Sequence, residues 1–517
     1  MEQKVQLSKS ESSRRDSIRV RKYNSVYIQV DAEKSTCREL SDYFTFDVPG
    51  ASFMPAYRNR YWDGKIRLFN VNTKLVYSGL IHHIKLFAEQ RDYDLYTEDN
   101  LDSVHDISIP QLESFTRDYK IKPYDYQLGA FAHALRTERA LILSPTASGK
   151  SLIIYMLCDY IKGRKLVIVP TTSLVFQLDK DFESYYTNRS YSTHLIMSGQ
   201  DKNADADIFI STWQSIYKQP KKWFEQFDVV IGDEAHLFKA NSLTKIMTKL
   251  ENCDYRYGFT GTLDGTQTHR LVLEGLFGPV MKATSTKELI DTDRIADLRI
   301  KALVLKYPEE VRKMMAKQKY DIEMKFIASW EPRNNFIKNL AISRKGNTLL
   351  LFQYVEKHGK VLYNLINSAV SERKVFFIHG GIDAEEREEA RAITEKENDA
   401  IIIASYGTFS TGINIRNLHN IIFASPSKSR IRNLQSIGRG LRKGDKKSVA
   451  TLYDISDDLT YKSWNNFTLK HFAVRVKMYN EEEFDYKIYN IRLKNDNSNS
   501  KTDKRRDNIS EAVLPIQ

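Results

Sequence analysis

Apolar residues in this chain fall into short runs, and their spacing separates strands from helices. From Val26, VYIQV alternates apolar and polar positions as a half-buried strand does. From Ser35, STCRELSDYF places apolar residues at helical spacing behind a serine cap. In YRNRYWDGKIRLF, from Tyr57, the pair Asp63-Gly64 stands between two candidate strands, and Asp-Gly is a type I′ hairpin signal. LVYSG from Leu75 predicts another strand and LIHHIKLFAEQ from Leu80 an amphipathic helix, which together make a small α+β domain over 23–112. Residues 1–22 are rich in serine and charge and predict a flexible extension.

Beyond Tyr119 the pattern changes to short apolar runs separated by helix-length segments: ALILSP, KLVIVP, DIFIST, FDVVIGDEAH and YGFTGT. A second series follows, with TLLLFQY, KVFFIHG, AIIIASY and NIIFASP. That alternation is the sequence form of a parallel sheet covered by crossover helices. It predicts two α/β domains in tandem, over 113–294 and 295–490, with a flexible basic tail over 491–517. Three domains suit 517 residues, since a single core rarely serves a chain beyond about 300.

Composition narrows the partners. A formal charge of +12 favours a polyanion such as nucleic acid, although the same excess can serve solubility alone. Cys37, Cys158 and Cys253 lie far apart without metal-ligand spacing, so they predict free thiols in a reducing compartment. No apolar run approaches the roughly 20 residues of a membrane span, and the N-terminus lacks a secretory core. A soluble, cytoplasmic, monomeric protein is the expectation.

The segment SPTASGKS follows the strand ALIL and precedes the helical SLIIYMLCDYI. In that context it predicts a phosphate-binding loop formed by Pro145, Thr146, Ala147, Ser148 and Gly149. Lys150 would reach the β- and γ-phosphates of ATP, and Ser151 would ligate Mg²⁺. Ser144 stands where the pattern has its first glycine. Asp233 and Glu234 open DEAH at the end of the strand FDVVIG, where open α/β sheets place ligands. They are the candidate Mg²⁺ ligand and general base.

In this order the motifs resemble those of superfamily two helicases, which implies two RecA-like motor domains. The resemblance implies that Gln127 in YDYQ reads the adenine. It also implies that Thr171 in PTTSL and Trp213 in STWQS contact the nucleic-acid strand, and that Thr260 and Thr262, with His236, couple hydrolysis to movement. In SYGTFSTGINI, Thr411 would face nucleic acid and Gly412 the nucleotide; in QSIGRGLR, Gln435 with Arg439 and Arg442 would complete the ATP site as arginine fingers. A guanidinium suits the charge that develops in phosphoryl transfer.

Thr260-Gly261-Thr262, in place of Ser-Ala-Thr, and Gln435, in place of histidine, argue against a DEAD-type RNA helicase. YWDGKIRLF, PTTSL, STWQSI, SYGTFSTGI and IGRGLRKG in one chain resemble the UvsW helicase family of T-even bacteriophages, from about Val26 to Tyr489. That family implies branch migration of Holliday junctions, fork regression and R-loop unwinding with 3′ to 5′ polarity. The substrates would be branched or partly single-stranded DNA and RNA–DNA hybrids. Tyr57, Arg58, Arg60, Tyr61, Trp62, Lys65 and Arg67 interleave basic and aromatic groups that suit phosphates and unpaired bases; they equally suit a small core with charges outside. The rival readings are an ATP-gated DNA-damage clamp, which would carry an extra hairpin between Thr171 and Gly232, an RNA helicase, or a restriction-system motor with an added domain. No single-strand-binding or other protein partner is specified.

Overall fold

The computed structural model describes residues 16–98, 101, 104–185, 191–197, 199–382, 384–410, 415, 417–442 and 449–494. The first 15 residues of the expected extension and residues 495–517 of the expected tail lie outside the described residues, as do Thr411 and Gly412.

The remainder of the expected extension is strand. β1 (Ser17–Lys22) buries Ile18 and Val20 while its charged neighbours face outward. A period-two strand was hidden there by an average polarity that reads as disorder. β1 is central in a sheet with β2 (Tyr27–Asp31), β5 (Leu75–Tyr77) and β6 (Asp94–Thr97), in the order β5-β2-β1-β6. β1 runs antiparallel to β2 and parallel to β6.

The expected hairpin at Asp63-Gly64 does not form. β4 (Lys65–Arg67) pairs instead with β3 (Thr45–Asp47), and Pro55–Arg58 is a helical turn. Pro55 suits the first turn of a helix and starves a strand of a donor. Gly64 still makes a tight turn at φ 81°, where an added Cβ would come within 3.0 Å of the Tyr57 ring.

The first motor sheet has the order β13-β7-β12-β11-β8-β10-β9 among the described residues. Its strands are β7 (Arg139–Leu143), β8 (Lys165–Val169), β9 (Thr193–Ile196), β10 (Ile208–Thr212), β11 (Val229–Asp233), β12 (Tyr255–Thr260) and β13 (Val280–Lys282). The second has the order β16-β17-β15-β18-β19-β14-β20, with every neighbouring pair parallel. It comprises β14 (Asp297–Lys306), β15 (Thr348–Phe352), β16 (Val375–Ile378), β17 (Ile401–Ser405), β18 (Asn420–Phe423), β19 (Val449–Asp458) and β20 (Tyr486–Arg492). Two tandem RecA-like sheets are therefore present, with each of the nine expected motor strands in place.

Two compact units divide the chain. The first holds the described residues up to Ile142 together with Leu152–Met281; the second holds Leu143–Ser151 and the described residues from Lys282. In the first unit the N-terminal sheet shares one continuous core with the first motor sheet: Ile18, Val20 and Phe87 belong to the same buried cluster as Leu141, Phe238 and Phe277. The Ser25 N–H donates to the Glu251 carbonyl (2.9 Å), and Arg139 donates to the Ser25 carbonyl (2.6 Å). Position 112, where the N-terminal domain was expected to end, falls inside the helix Ile109–Phe115, whose Phe115 ring lies 6.4 Å from that of Phe131.

Gly232 of β11 and Gly258 of β12 stand opposite one another in register. A Cβ at Gly232 would lie 2.7 Å from the Phe238 ring, and one at Gly258 would lie 2.8 Å from the Phe277 ring. The two glycines thus make a dent in the sheet that seats Phe277, the last residue of the helix Gln267–Phe277. Gly258→Val should overpack this contact and cost about 1–3 kcal/mol, read as a lower urea midpoint with an unchanged slope.

In the second unit, each face of β19 carries a buried ion pair. Arg333 donates to Asp457 through Nε (2.7 Å) and Nη2 (3.0 Å), and the Tyr307 hydroxyl donates to the same carboxylate (2.8 Å). On the other face Arg475 and Tyr479 each donate to Asp454 at 2.9 Å. No helix among the described residues is long and apolar enough to cross a membrane.

Candidate ATP site and nucleic-acid surface

The loop Ser144–Ser151 is shaped by two residues at positive φ, Ala147 (70°) and Gly149 (75°). Left-handed residues alternating with right-handed ones turn successive N–H groups toward one side, the geometry that receives anions. An alanine held there costs roughly 1–2 kcal/mol, which the surrounding loop must offset. Ser144, in the place of the first glycine, is fully buried, with its hydroxyl 2.5 Å from that of Ser148. Ser148 donates in turn to the Pro145 carbonyl (2.7 Å). The serine therefore ties the loop across its base. Lys150, the first residue of the helix Lys150–Tyr160, donates to the carbonyls of Ser144 (3.1 Å) and Pro145 (3.3 Å).

Gln127 lies in the first turn of the helix Asp125–Thr137, where its side-chain oxygen accepts from the Tyr124 N–H (2.9 Å). It is buried, so the cap fixes its amide in one orientation.

Asp233 ends β11, and its carboxylate accepts the Glu234 N–H (2.9 Å). Glu234 is left-handed at φ 51° and heads the short helix Ala235–Lys239. A non-glycine residue in that region marks a conformation imposed by its surroundings. His236 lies 3.0 Å through Nδ1 from the Thr260 hydroxyl and 3.4 Å from the Glu234 carboxylate. Because the Thr260 hydroxyl donates to the Thr262 carbonyl (3.1 Å), the shared proton toward His236 comes from the imidazole. The structure thereby joins Glu234, His236, Thr260 and Thr262 in one chain of contacts.

His269, which the sequence did not single out, extends this chain. Its Nε2 donates to the His236 carbonyl (3.0 Å), and its Nδ1 lies 2.8 Å from Asp264. The available signal was Thr266, whose side chain caps the helix Gln267–Phe277 by accepting from the His269 N–H.

Gln435 and Arg439 lie one turn apart on the helix Arg430–Gly440, capped by Ser429; Arg442 follows its end. Glycines flank Arg439. A Cβ at Gly440 would come 2.1 Å from Ile421 of β18, so the helix lies close on the sheet. At Gly438 it would come 2.6 Å from the Thr146 Cβ, which places this helix against the phosphate-binding loop within the second unit.

The nucleic-acid candidates differ in setting. Arg58, Arg60 and Lys65 are exposed, Tyr61 is 86% exposed and Phe53 is 76% exposed. Tyr57, Arg58, Arg60, Tyr61 and Trp62 line one open concavity of the N-terminal sheet domain. Arg60 is left-handed at φ 60°, and Trp62 is anchored by donating to the Lys65 carbonyl (2.8 Å). Arg67 is tied to Asp63 (2.5 Å). Thr171 lies 3.1 Å through its hydroxyl from that of Ser173, and Trp213 packs half-buried against the core.

Two tandem parallel-sheet motors carrying these motifs define a superfamily two helicase. Residues 17–98 match the family described as DNA helicase UvsW, N-terminal. Residues 120–265 match the type III restriction enzyme res subunit family, and 332–444 match the helicase conserved C-terminal domain. The ATP-dependent DNA helicase uvsW of Enterobacteria phage T4 is 34% identical over 504 residues, covering 92% of this chain and 100% of that protein. The chain belongs to the UvsW family of ATP-dependent DNA helicases. The DNA 3′-5′ translocase XPB2 of Sulfurisphaera tokodaii is 24% identical over 366 residues, covering 64% of this chain and 81% of that protein. In fold alone, the chain is similar to the DNA-bound restriction-modification enzyme LlaBIII, with a TM-score of 0.54 at 16% identity over 80% of this chain and 34% of that one.

Proposed function

We propose that this helicase remodels branched DNA, migrating four-way junctions, regressing forks and unwinding R-loops with 3′ to 5′ polarity. The observation that carries this reading is the exposed basic and aromatic concavity at Tyr57–Asp63, in an N-terminal domain that shares the core of the first motor. A grip on duplex or junction built there is continuous with the ATPase half. Arg58, Arg60 and Lys65 neutralise phosphates, and Tyr61 and Trp62 offer stacking faces. Thr171, Trp213 and Thr411 contact the translocated strand. The domain limits are proposed near 23–112, 113–294 and 295–490, with the first extended back to Ser17 and ended before the helix Ile109–Phe115, and the last carried to the end of β20 at Arg492; the working form is proposed as a monomer in the host cytoplasm.

In the ATP site, the loop Pro145–Gly149 and Lys150 hold the phosphates, Gln127 reads the adenine, and Gly412 adjoins the nucleotide. Ser151 and Asp233 are the residues that would hold Mg²⁺, whose chemistry is neutralisation of the developing phosphate charge. The loop fits an anion because its left-handed residues turn N–H groups to one side. Glu234 orients and deprotonates the attacking water, and Gln435, Arg439 and Arg442 stabilise the equatorial oxygens. His236, Thr260 and Thr262 carry the change at Glu234 toward the helix bearing His269.

Rates of ATP-dependent processing of a fork, a four-way junction, an R-loop and plain tailed duplexes of DNA and RNA test this function. Faster turnover of the three branched substrates is expected. Equal rates on the plain DNA duplex, or a preference for the RNA duplex, would overturn it. Arg58→Ala with Lys65→Ala should weaken junction binding and lower the log–log salt slope by about 1 to 2. An unchanged slope returns these residues to a solvated surface.

A further inference from the structure

A cluster at the seam between the N-terminal sheet and the first motor sheet plays no part in the ATP site. His82 and His83 open the helix Ile81–Gln90, and Glu274 lies near the end of the helix Gln267–Phe277. The backbones meet closely: a Cβ at Gly79 would come 2.0 Å from the Glu274 carbonyl oxygen. The Glu274 side chain is fully buried, and both histidines turn Nε2 toward its Oε2, His83 at 2.6 Å and His82 at 3.4 Å. Arg270 donates to the other oxygen, Oε1 (2.6 Å). One nitrogen from each histidine and one carboxylate oxygen lie within 4.8 Å of one another.

The tautomer of His82 follows from its other contact. Its Nδ1 lies 3.1 Å from the Gly79 carbonyl, which only accepts, so the proton sits on Nδ1. Nε2 then faces the carboxylate with either a second proton or a lone pair. His83 meets Oε2 with a single proton on Nε2, but at His82 a second proton would place an imidazolium 4.0 Å from the neighbouring ring and beside Arg270. A lone pair facing a carboxylate is repulsive unless a cation stands between them. An Nδ1–H held by a backbone carbonyl is the outer contact that prepares Nε2 for a metal, and a carboxylate whose second oxygen is hydrogen-bonded is the matching partner.

We propose that His82, His83 and Glu274 form a transition-metal site, with Zn²⁺ as the ion, that staples the N-terminal domain to the first motor. Two imidazoles and one carboxylate suit Zn²⁺, and disfavour Mg²⁺, which prefers an oxygen shell. Tetrahedral bonds of zinc to nitrogen and oxygen put ligand atoms about 3.3 Å apart. The 3.4 Å separation at His82 already has that value, and His83 must withdraw from Oε2 by less than an ångström. A cavity of about 110 Å³ adjoins the cluster at His82, and a water would supply the fourth ligand. The cysteines do not compete: all three are buried, and burial pushes the thiols of Cys158 and Cys253 up to about 12.

The test uses the full chain, stripped with chelator and titrated with Zn²⁺ or Co²⁺ in excess Mg²⁺ without nucleotide. One equivalent per chain is expected, with a weak visible Co²⁺ spectrum of nitrogen and oxygen ligation that Zn²⁺ abolishes, and a thermal midpoint that rises by several degrees. His82→Asn, His83→Gln and Glu274→Gln should each weaken binding by about 100-fold or more and remove the thermal shift. Binding by the wild-type chain no tighter than millimolar, or a sulfur-ligated Co²⁺ spectrum, overturns the site even if a variant fails to fold. Undiminished binding by a folded His83→Gln chain overturns it as well.

Discussion

Replacing Lys150 with alanine is expected to abolish DNA-stimulated ATP hydrolysis while leaving junction binding within about twofold of wild type. Its ammonium lies over the carbonyls of Ser144 and Pro145, at the mouth of the loop formed by Ala147 and Gly149. Removing one charged donor from a preorganised oxyanion site costs at least about 100-fold in turnover. The loop itself should survive, because Ser144, Ser148 and Pro145 tie it together without the lysine. Steady-state hydrolysis with saturating DNA, alongside binding by anisotropy, separates the two effects. Turnover within threefold of wild type would remove Lys150 from the phosphate site.

The second large effect concerns stability. Arg333→Ala leaves Asp457 buried on β19 with only the Tyr307 hydroxyl donating to its carboxylate among the described residues, and breaking one side of a buried pair costs about 3–5 kcal/mol. Denaturant unfolding should show an early transition of the second unit. Arg333→Met with Asp457→Leu should recover most of the loss, since a matched apolar pair carries no unpaired charge. If the single variant unfolds like wild type, the pair contributes nothing beyond packing.

The motor sheets were legible because parallel strands buried on both faces read as continuous apolar runs, as IIIAS at β17 and VVIGD at β11 do. β1 was not legible, because a strand with two buried residues among charged ones averages to a polar segment. The Asp63-Gly64 signal correctly marked a turn and the strand β4 after it, and wrongly implied a strand before it, since Pro55 had already committed those residues to a helical turn. Among the candidate site residues, Lys150, Asp233 and Glu234 were named from local spacing. The contact of His236 with Thr260 joins the turn after β11 to the end of β12, and the resemblance had implied only that the two share a coupling role. His269 had no pattern of its own, because its role depends on where a helix lands against the sheet.

That helix has a mechanical reading. Its first turn holds His269 against the His236 backbone, its end is seated by Phe277 in the Gly232–Gly258 dent, and between them Glu274 holds the N-terminal domain. Over the six residues from His269 to Glu274 it is a tie-rod between Glu234's neighbourhood and the domain that carries the basic concavity. Those five steps of helical rise make a rod of about 7.5 Å, with no slack to absorb a shift at either end. A concavity that binds DNA, as proposed, would move with any shift at the Glu234 end of this helix.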